Sequence, residues 1–148
     1  MRGMNKQSVS VVVPAYNEAQ SLPIFYERVT EVLKALGRDY EIVIVDDGSR
    51  DNTYQVLEEL ASKDSRVKAI GFRNNFGQTA ALAAGIEAAT GEIIVLIDSD
   101  LENDPADIPR LLAKIEEGYD VVSGWRQSRW KNEFITRKIP SVGANMLI

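Results

Sequence analysis

The chain has 148 residues, 45% of them hydrophobic, and a net charge of −5, which is enough apolar material for one core and a single domain spanning residues 1–148. It contains no Cys and no His, which excludes a disulfide framework, thiolate chemistry and imidazole catalysis and leaves carboxylates, Lys and Arg, hydroxyls, backbone groups or a metal ion. Net acidity argues against general nucleic-acid binding, and no stretch approaches the ~18 apolar residues of a membrane span.

Residues 1–7 precede an apolar run too short for a signal peptide, so the chain is expected to be soluble and to start in the cytoplasm. That run, 8–14, reads as the first strand, and a helix follows at 21–36 with Pro23 in its first turn. Strand and helix then alternate: 40–45, 52–63, 67–72, 78–90, 92–97, 106–117 and a last strand at 120–123. Gly37, Gly91 and Gly118 each separate a helix from a strand, as left-handed C-terminal caps would. Asp51 and Asp104 suit N-caps, with Pro105 opening the fourth helix. This order predicts an α/β fold with a mostly parallel sheet and helices on both faces.

Each strand is followed by a polar cluster. These are Pro14-Ala15-Tyr16-Asn17-Glu18, Asp46-Asp47-Gly48-Ser49, Arg73-Asn74-Asn75-Phe76-Gly77, Asp98-Ser99-Asp100 and Gly124-Trp125-Arg126. Any one of them is an ordinary turn sequence. Parallel strands point the same way, however, so all five clusters fall on one edge of the sheet, where such folds bind ligands.

Asp98 and Asp100 end an apolar strand and, without His or Cys nearby, offer a hard, oxygen-only site for Mg²⁺ or Mn²⁺, usually shared with a phosphate. Neither Gly-x-Gly-x-x-Gly after the first strand nor a P-loop is present, so phosphates must be held by a metal and by cationic side chains. Ionised Asp46 and Asp47 only accept, which suits the donors of a base or a ribose. Tyr16 is either a stacking platform for a base or a half-buried loop aromatic. From Trp125 to Lys138 five basic residues face one acid, which is either a solvated face or a site for a phosphate or an anionic membrane surface.

Taken in order, the strand Ser8-Val9-Ser10-Val11-Val12-Val13 with Pro14-Ala15-Tyr16-Asn17-Glu18, then Val45-Asp46-Asp47-Gly48-Ser49, Arg73-Asn74-Asn75-Phe76-Gly77, Asp98-Ser99-Asp100-Leu101 and Gly124-Trp125-Arg126 resemble glycosyltransferase family 2. The resemblance is to its polyprenyl-phosphate branch, the dolichyl-phosphate mannosyltransferase-like enzymes, and runs from Ser8 to the last residue. It implies a GT-A, Rossmann-like fold and an inverting transfer from a nucleotide-diphosphate sugar of the GDP-mannose or UDP-glucose type to a polyprenyl phosphate, with a divalent cation.

It also implies roles. Pro14, Tyr16, Glu18, Asp46 and Asp47 become nucleotide-side residues, and Asp98 and Asp100 the metal and diphosphate pair. Asp100 and Arg126 become the catalytic residues, with Arg126, Arg137 or Lys138, and Ser141 on the substrate's phosphate and acceptor side. Glu102 stands where this branch often has Gln, so its charge would either add a ligand or repel a phosphate. The chain resembles an N-terminal fragment, with the donor half nearly complete and most of the acceptor half absent. The full-length protein is expected at the inner face of the membrane, held there partly by the basic 126–138 segment, and the unfinished sheet edge invites association between copies.

A phosphate monoester acceptor, with a second pKa near about 6, is largely ionised at pH 7 and needs no general base. Three other readings fit parts of the sequence. One is transfer to a saccharide hydroxyl, which would need a carboxylate base with no matched position before Ile148. Another is a non-catalytic nucleotide-binding module. The third is a phospho-accepting receiver, which would begin at its acidic pair, whereas here a complete βα unit precedes Asp46 and Asp47.

Overall fold

The computed structural model describes residues 6–124. The chain divides after Arg110 into two compact units, and the first holds every strand among the described residues. Its elements are β1 (Val9–Ala15), α1 (Ser21–Ala35), β2 (Tyr40–Asp46), α2 (Thr53–Lys63), β3 (Val67–Gly71), α3 (Gln78–Ala88) and β4 (Ile93–Leu96). A 3₁₀ turn over Pro105–Asp107 then leads into α4 (Ile108–Glu116).

The four strands are all parallel, in the order β3-β2-β1-β4. Central β1 is buried on both faces, with Val9, Val11, Val12 and Val13 fully inaccessible, which is why its sequence is continuous rather than alternating. α1 buries Leu22, Phe25, Val29 and Leu33, one stripe at helical spacing. α3 reaches the sheet through Gly85, where a Cβ would come within 2.4 Å of Val12 Cγ1 and 3.3 Å of Val45 Cγ2. Tyr54 of α2 lies against Gly71, which pairs with Asp46 and so shares the face of Ile44. Val45 occupies the alternate face, so α2 and α3 cover opposite sides of the sheet.

A polar hub closes the edge at which the strands begin. Ser10 Oγ donates to Glu41 Oε1 at 2.6 Å, Thr90 donates to the same oxygen through N at 2.6 Å and Oγ1 at 3.0 Å, and Lys68 Nζ pairs with Oε2 at 2.7 Å. Burial pushes the Glu41 carboxyl up, but the bonds from Lys68, Ser10 and Thr90 outweigh it and hold it down at about 2.

Three expectations are corrected. Residues 120–123 form no strand and pair with nothing among the described residues, and Val121 is 86% exposed; two adjacent valines make a strand only where a ladder partner takes their backbone groups. Gly91 is not a left-handed cap, unlike Gly37 (φ 62) and Gly118 (φ 105). It permits close approach instead, since a Cβ there would lie 2.6 Å from Ser10 N. The fourth helix begins as a 3₁₀ turn, with Asp104 accepting from Ala106 N at 2.9 Å as the expected cap.

β4 is an edge strand of this sheet with two unlike faces. Ile93 and Val95 are buried, while Ile94 is 40% and Leu96 52% exposed.

Candidate functional site

The loops that leave the carboxyl ends of β1, β2, β3 and β4 enclose a cleft of about 330 Å³. Of the residues expected at a site, Pro14, Tyr16, Glu18, Asp47, Asp98 and Asp100 line it. Tyr16 stands 40% exposed among them, with ring surface available for stacking.

The loop after β1 is held by the loop after β2. Asn17, in the left-handed region at φ 52, donates its amide to Ser49 Oγ at 2.9 Å and accepts the Arg50 amide on Oδ1 at 2.9 Å. Glu18 N donates to Thr53 Oγ1 at 2.9 Å and Ala19 N to Asp51 Oδ2 at 3.4 Å. Asp51 also accepts Thr53 N, holding the first residue of α2 from one position before the N-cap residue, Asn52. Burial raises the Asp51 carboxyl, and the bonds from Thr53 and Ala19 more than reverse that, leaving it below the usual carboxylate range.

Asp46 and Asp47 take different places. Asp46, 3% exposed, accepts Ser49 N on Oδ1 at 3.2 Å together with the Ser49 hydroxyl, and sits behind the cleft rather than in its wall. Asp47 lines the cleft, and its two oxygens receive Phe76 N at 2.8 Å and Gly77 N at 3.0 Å. Next in the chain, Gly48 at φ 68 lets the β2 turn press on the next loop, where a Cβ would lie 2.4 Å from the carbonyl carbon of Asn74. Each carboxylate oxygen of Asp47 retains a second lone pair for a ligand donor.

At the other side of the cleft, Asp98 Oδ1 accepts from Gln78 Nε2 at 2.9 Å, and Asp100 Oδ1 accepts from the Glu102 amide at 3.0 Å across a turn in which Leu101 has φ 66. Ser99 between them is 1% exposed, and its hydroxyl has no partner. Glu102 thus contributes its backbone to the orientation of Asp100. Among the described residues no three acidic side chains converge on one point. Asp98 and Asp100 are oxygen donors of the type that suits a hard cation, which would have to complete its shell with phosphate and water oxygens.

Asn75, Gly77 and Ser99, members of the polar clusters expected at this edge, also line the cleft, as does Gln78, which no cluster includes. Gln78 was legible in principle, because the first residue of a helix that follows a strand-end loop faces the ligand edge of a parallel sheet. Trp125, Arg126, Arg137, Lys138 and Ser141, with the rest of the basic 126–138 stretch, lie outside the described residues.

The profile of Glycosyl transferase family 2 matches residues 10–143. Among solved structures, the chain is similar to the mannosyltransferase PcManGT from Pyrobaculum calidifontis in complex with GDP-Man and Mn²⁺, at 28% identity and a TM-score of 0.56 over 66% of this chain and 28% of that one. It is similar to S. aureus TarS 1-349 at 27% identity and a TM-score of 0.52, over 84% of this chain and 40% of that one. A mycobacterial protein aligns at 27% identity and a TM-score of 0.57, over 74% and 36%. The chain thus spans well under half the length of each of these three structures.

Proposed function

The chain belongs to glycosyl transferase family 2 and carries a parallel sheet of the GT-A type, and from this premise we propose that it is the donor-binding part of an inverting enzyme that transfers a sugar from a nucleotide-diphosphate sugar to a polyprenyl phosphate. The observation that carries this reading is the convergence of Tyr16, Glu18 and Asp47 with Asp98 and Asp100 on one cleft. A donor of the GDP-mannose or UDP-glucose type is supported by the GDP-Man bound to the similar PcManGT.

In this reading the nucleoside lies at the β1 and β2 side. The Tyr16 ring stacks on the base, and the remaining lone pairs of Asp47 accept from base N–H or ribose hydroxyl groups. The diphosphate extends toward Asp98 and Asp100, which would hold Mg²⁺ or Mn²⁺, as the Mn²⁺ of PcManGT suggests. The cation supplies neutralisation of the charge that builds on the leaving nucleoside diphosphate. Asp98 and Asp100 arrive with one oxygen each already engaged, to Gln78 and to the Glu102 amide, so their orientation is set before the donor binds.

The acceptor phosphate attacks the anomeric carbon from the side opposite the leaving group, which inverts the configuration. It is already ionised at neutral pH, and this accords with a chain that has no His. What such a reaction needs is two anions held together, the role proposed for Arg126 and Arg137, with Ser141 as a further hydrogen-bonding group. The basic 126–138 stretch fits an anionic bilayer surface, which would place the parent protein at the inner face of the membrane.

Calorimetric titration of the chain with GDP and with UDP, each with and without Mn²⁺, tests the donor site. Binding of one nucleotide that strengthens with Mn²⁺ and is lost in Asp98→Asn/Asp100→Asn is expected. Absence of binding by either nucleotide refutes the donor assignment. For the acceptor, Arg126→Ala and Arg137→Ala in the full-length enzyme are each expected to reduce transfer to a polyprenyl phosphate at least tenfold, about the loss of one charge-assisted contact; unchanged transfer sinks that part of the reading.

A further inference from the structure

The start of α3 is fixed from outside the helix. No side chain within it caps its first turn; the carboxylate of Asp47 instead takes the amides of Phe76 and Gly77. Gly77 can then adopt φ 99 and deliver Gln78, the first residue of α3, to the cleft wall. There Gln78 Nε2 stands 2.9 Å from Asp98 Oδ1. The nitrogen must be the atom facing the carboxylate, because an amide oxygen in its place would set two acceptors against each other.

We propose that Gln78 is a positioning residue for Asp98: its amide holds Oδ1 and the plane of the carboxylate, so that Oδ2 is the oxygen presented to the divalent cation of a bound nucleotide donor. The inference rests on the reading of Asp98 as a cation ligand. Physically, a short Asp side chain at the end of a strand has a soft carboxylate torsion. A ligand that must find its orientation at the moment of binding spends affinity on doing so, whereas one held by an outer hydrogen bond does not. A neutral donor suits this position, since Lys at the same place would compete with the cation by charge and Glu would add a further acceptor.

The same contacts link the two sides of the cleft. Asp47 fixes Gly77, the chain turns at Gln78, and Gln78 fixes Asp98, so one helix terminus sets both the nucleoside-side and the cation-side carboxylates. Gln78 touches the cation ligand rather than the cation, and its removal should therefore act on metal affinity while sparing the nucleotide.

The test is calorimetry of Mn²⁺ binding to the chain saturated with GDP or UDP, whichever binds the wild type, compared with nucleotide affinity in EDTA. Gln78→Leu keeps the volume and removes the donor; Gln78→Met is a second, unbranched variant. Outer partners of metal ligands typically contribute 10–100-fold in affinity, and an exposed one belongs at the low end. The expected result is Mn²⁺ affinity reduced about tenfold in both variants, with nucleotide affinity in EDTA and thermal unfolding unchanged. Wild-type Mn²⁺ affinity in both variants overturns the role of Gln78, and so does an equal loss of metal-free nucleotide affinity or of stability, which would mark a structural part only. If the wild type itself binds nucleotide without any response to Mn²⁺, the failure lies in the cation reading of Asp98, and the Gln78 role falls with it.

Discussion

Asp47 receives the amide of Gly77 at 3.0 Å on one carboxylate oxygen and that of Phe76 at 2.8 Å on the other. A side chain just past β2 thereby fixes the two residues that lead into α3, Phe76 and the N-cap Gly77. The aspartate is a structural clamp and a cleft wall at once, and the two roles separate on substitution.

Asp47→Ala is expected to lower stability by about 2–3 kcal/mol, because it leaves two amides of the 76–77 turn without their acceptor. Asp47→Asn retains one acceptor oxygen and should lose roughly half as much. Urea unfolding followed by far-UV circular dichroism reads both values; equal stability of all three chains would contradict the clamp.

Gly85→Ala sets a gain in helix propensity of about 1 kcal/mol against a Cβ placed 2.4 Å from Val12 Cγ1. Overpacking of this kind costs about 1–3 kcal/mol, so a net loss is expected. Adding Val12→Ala, which removes the offending methyl, should recover part of it relative to the sum of the two single changes. Thermal unfolding of the four chains of this cycle measures the coupling, and strict additivity would place Gly85 away from Val12.

The Glu41 carboxyl, ordinarily near 4.5, is held down at about 2 in the folded chain. Because the folded value is the lower one, its contribution is fully present above 4.5 and disappears as the pH falls from there toward 2. That contribution is on the order of 3 kcal/mol. The wild type should lose unfolding temperature steeply across this window, and Glu41→Gln should be less stable at pH 7 with a flatter acid limb. Parallel acid limbs for the two chains would show that other carboxylates carry the acid sensitivity.

Ile94 and Leu96 stand exposed on the edge strand β4, an arrangement that invites pairing between copies. Self-association that grows with concentration is expected for the wild type in sedimentation velocity. Ile94→Lys/Leu96→Lys should remain monomeric with an unchanged circular dichroism spectrum, whereas a wild type that is monomeric at every concentration removes this strand as an interface.

The strands and the ligand edge were legible because both depend on short-range pattern and direction. Apolar, mostly β-branched runs between turn signals put β1 to β4 within two residues of their observed ends, and parallel strands necessarily send Tyr16, Asp47 and Asp98 to one side. What pattern does not carry is the competition for each polar group. Asp46 and Asp47 look equivalent as adjacent acceptors, yet Ser49 draws the first away from the cleft and the backbone of residues 76–77 engages the second. Topology places Gln78 at the ligand edge, but local pattern does not show its contact with Asp98, because the carboxylate that fixes its turn lies 31 positions away, in Asp47. Residues 120–123 mislead for the related reason that ladder partners cannot be seen in a local window.

The lacing of the first two loops has a consequence for solvent exchange. The amides of Asn17, Ala19 and Arg50 are donated to side chains of the opposite loop and that of Glu18 to Thr53 at the start of α2, so neither loop can open without breaking bonds across the gap. In deuterium labelling these loop amides should exchange together, as one slow cooperative group rather than as independently fraying positions. A ligand entering beside Tyr16 would meet a wall already set.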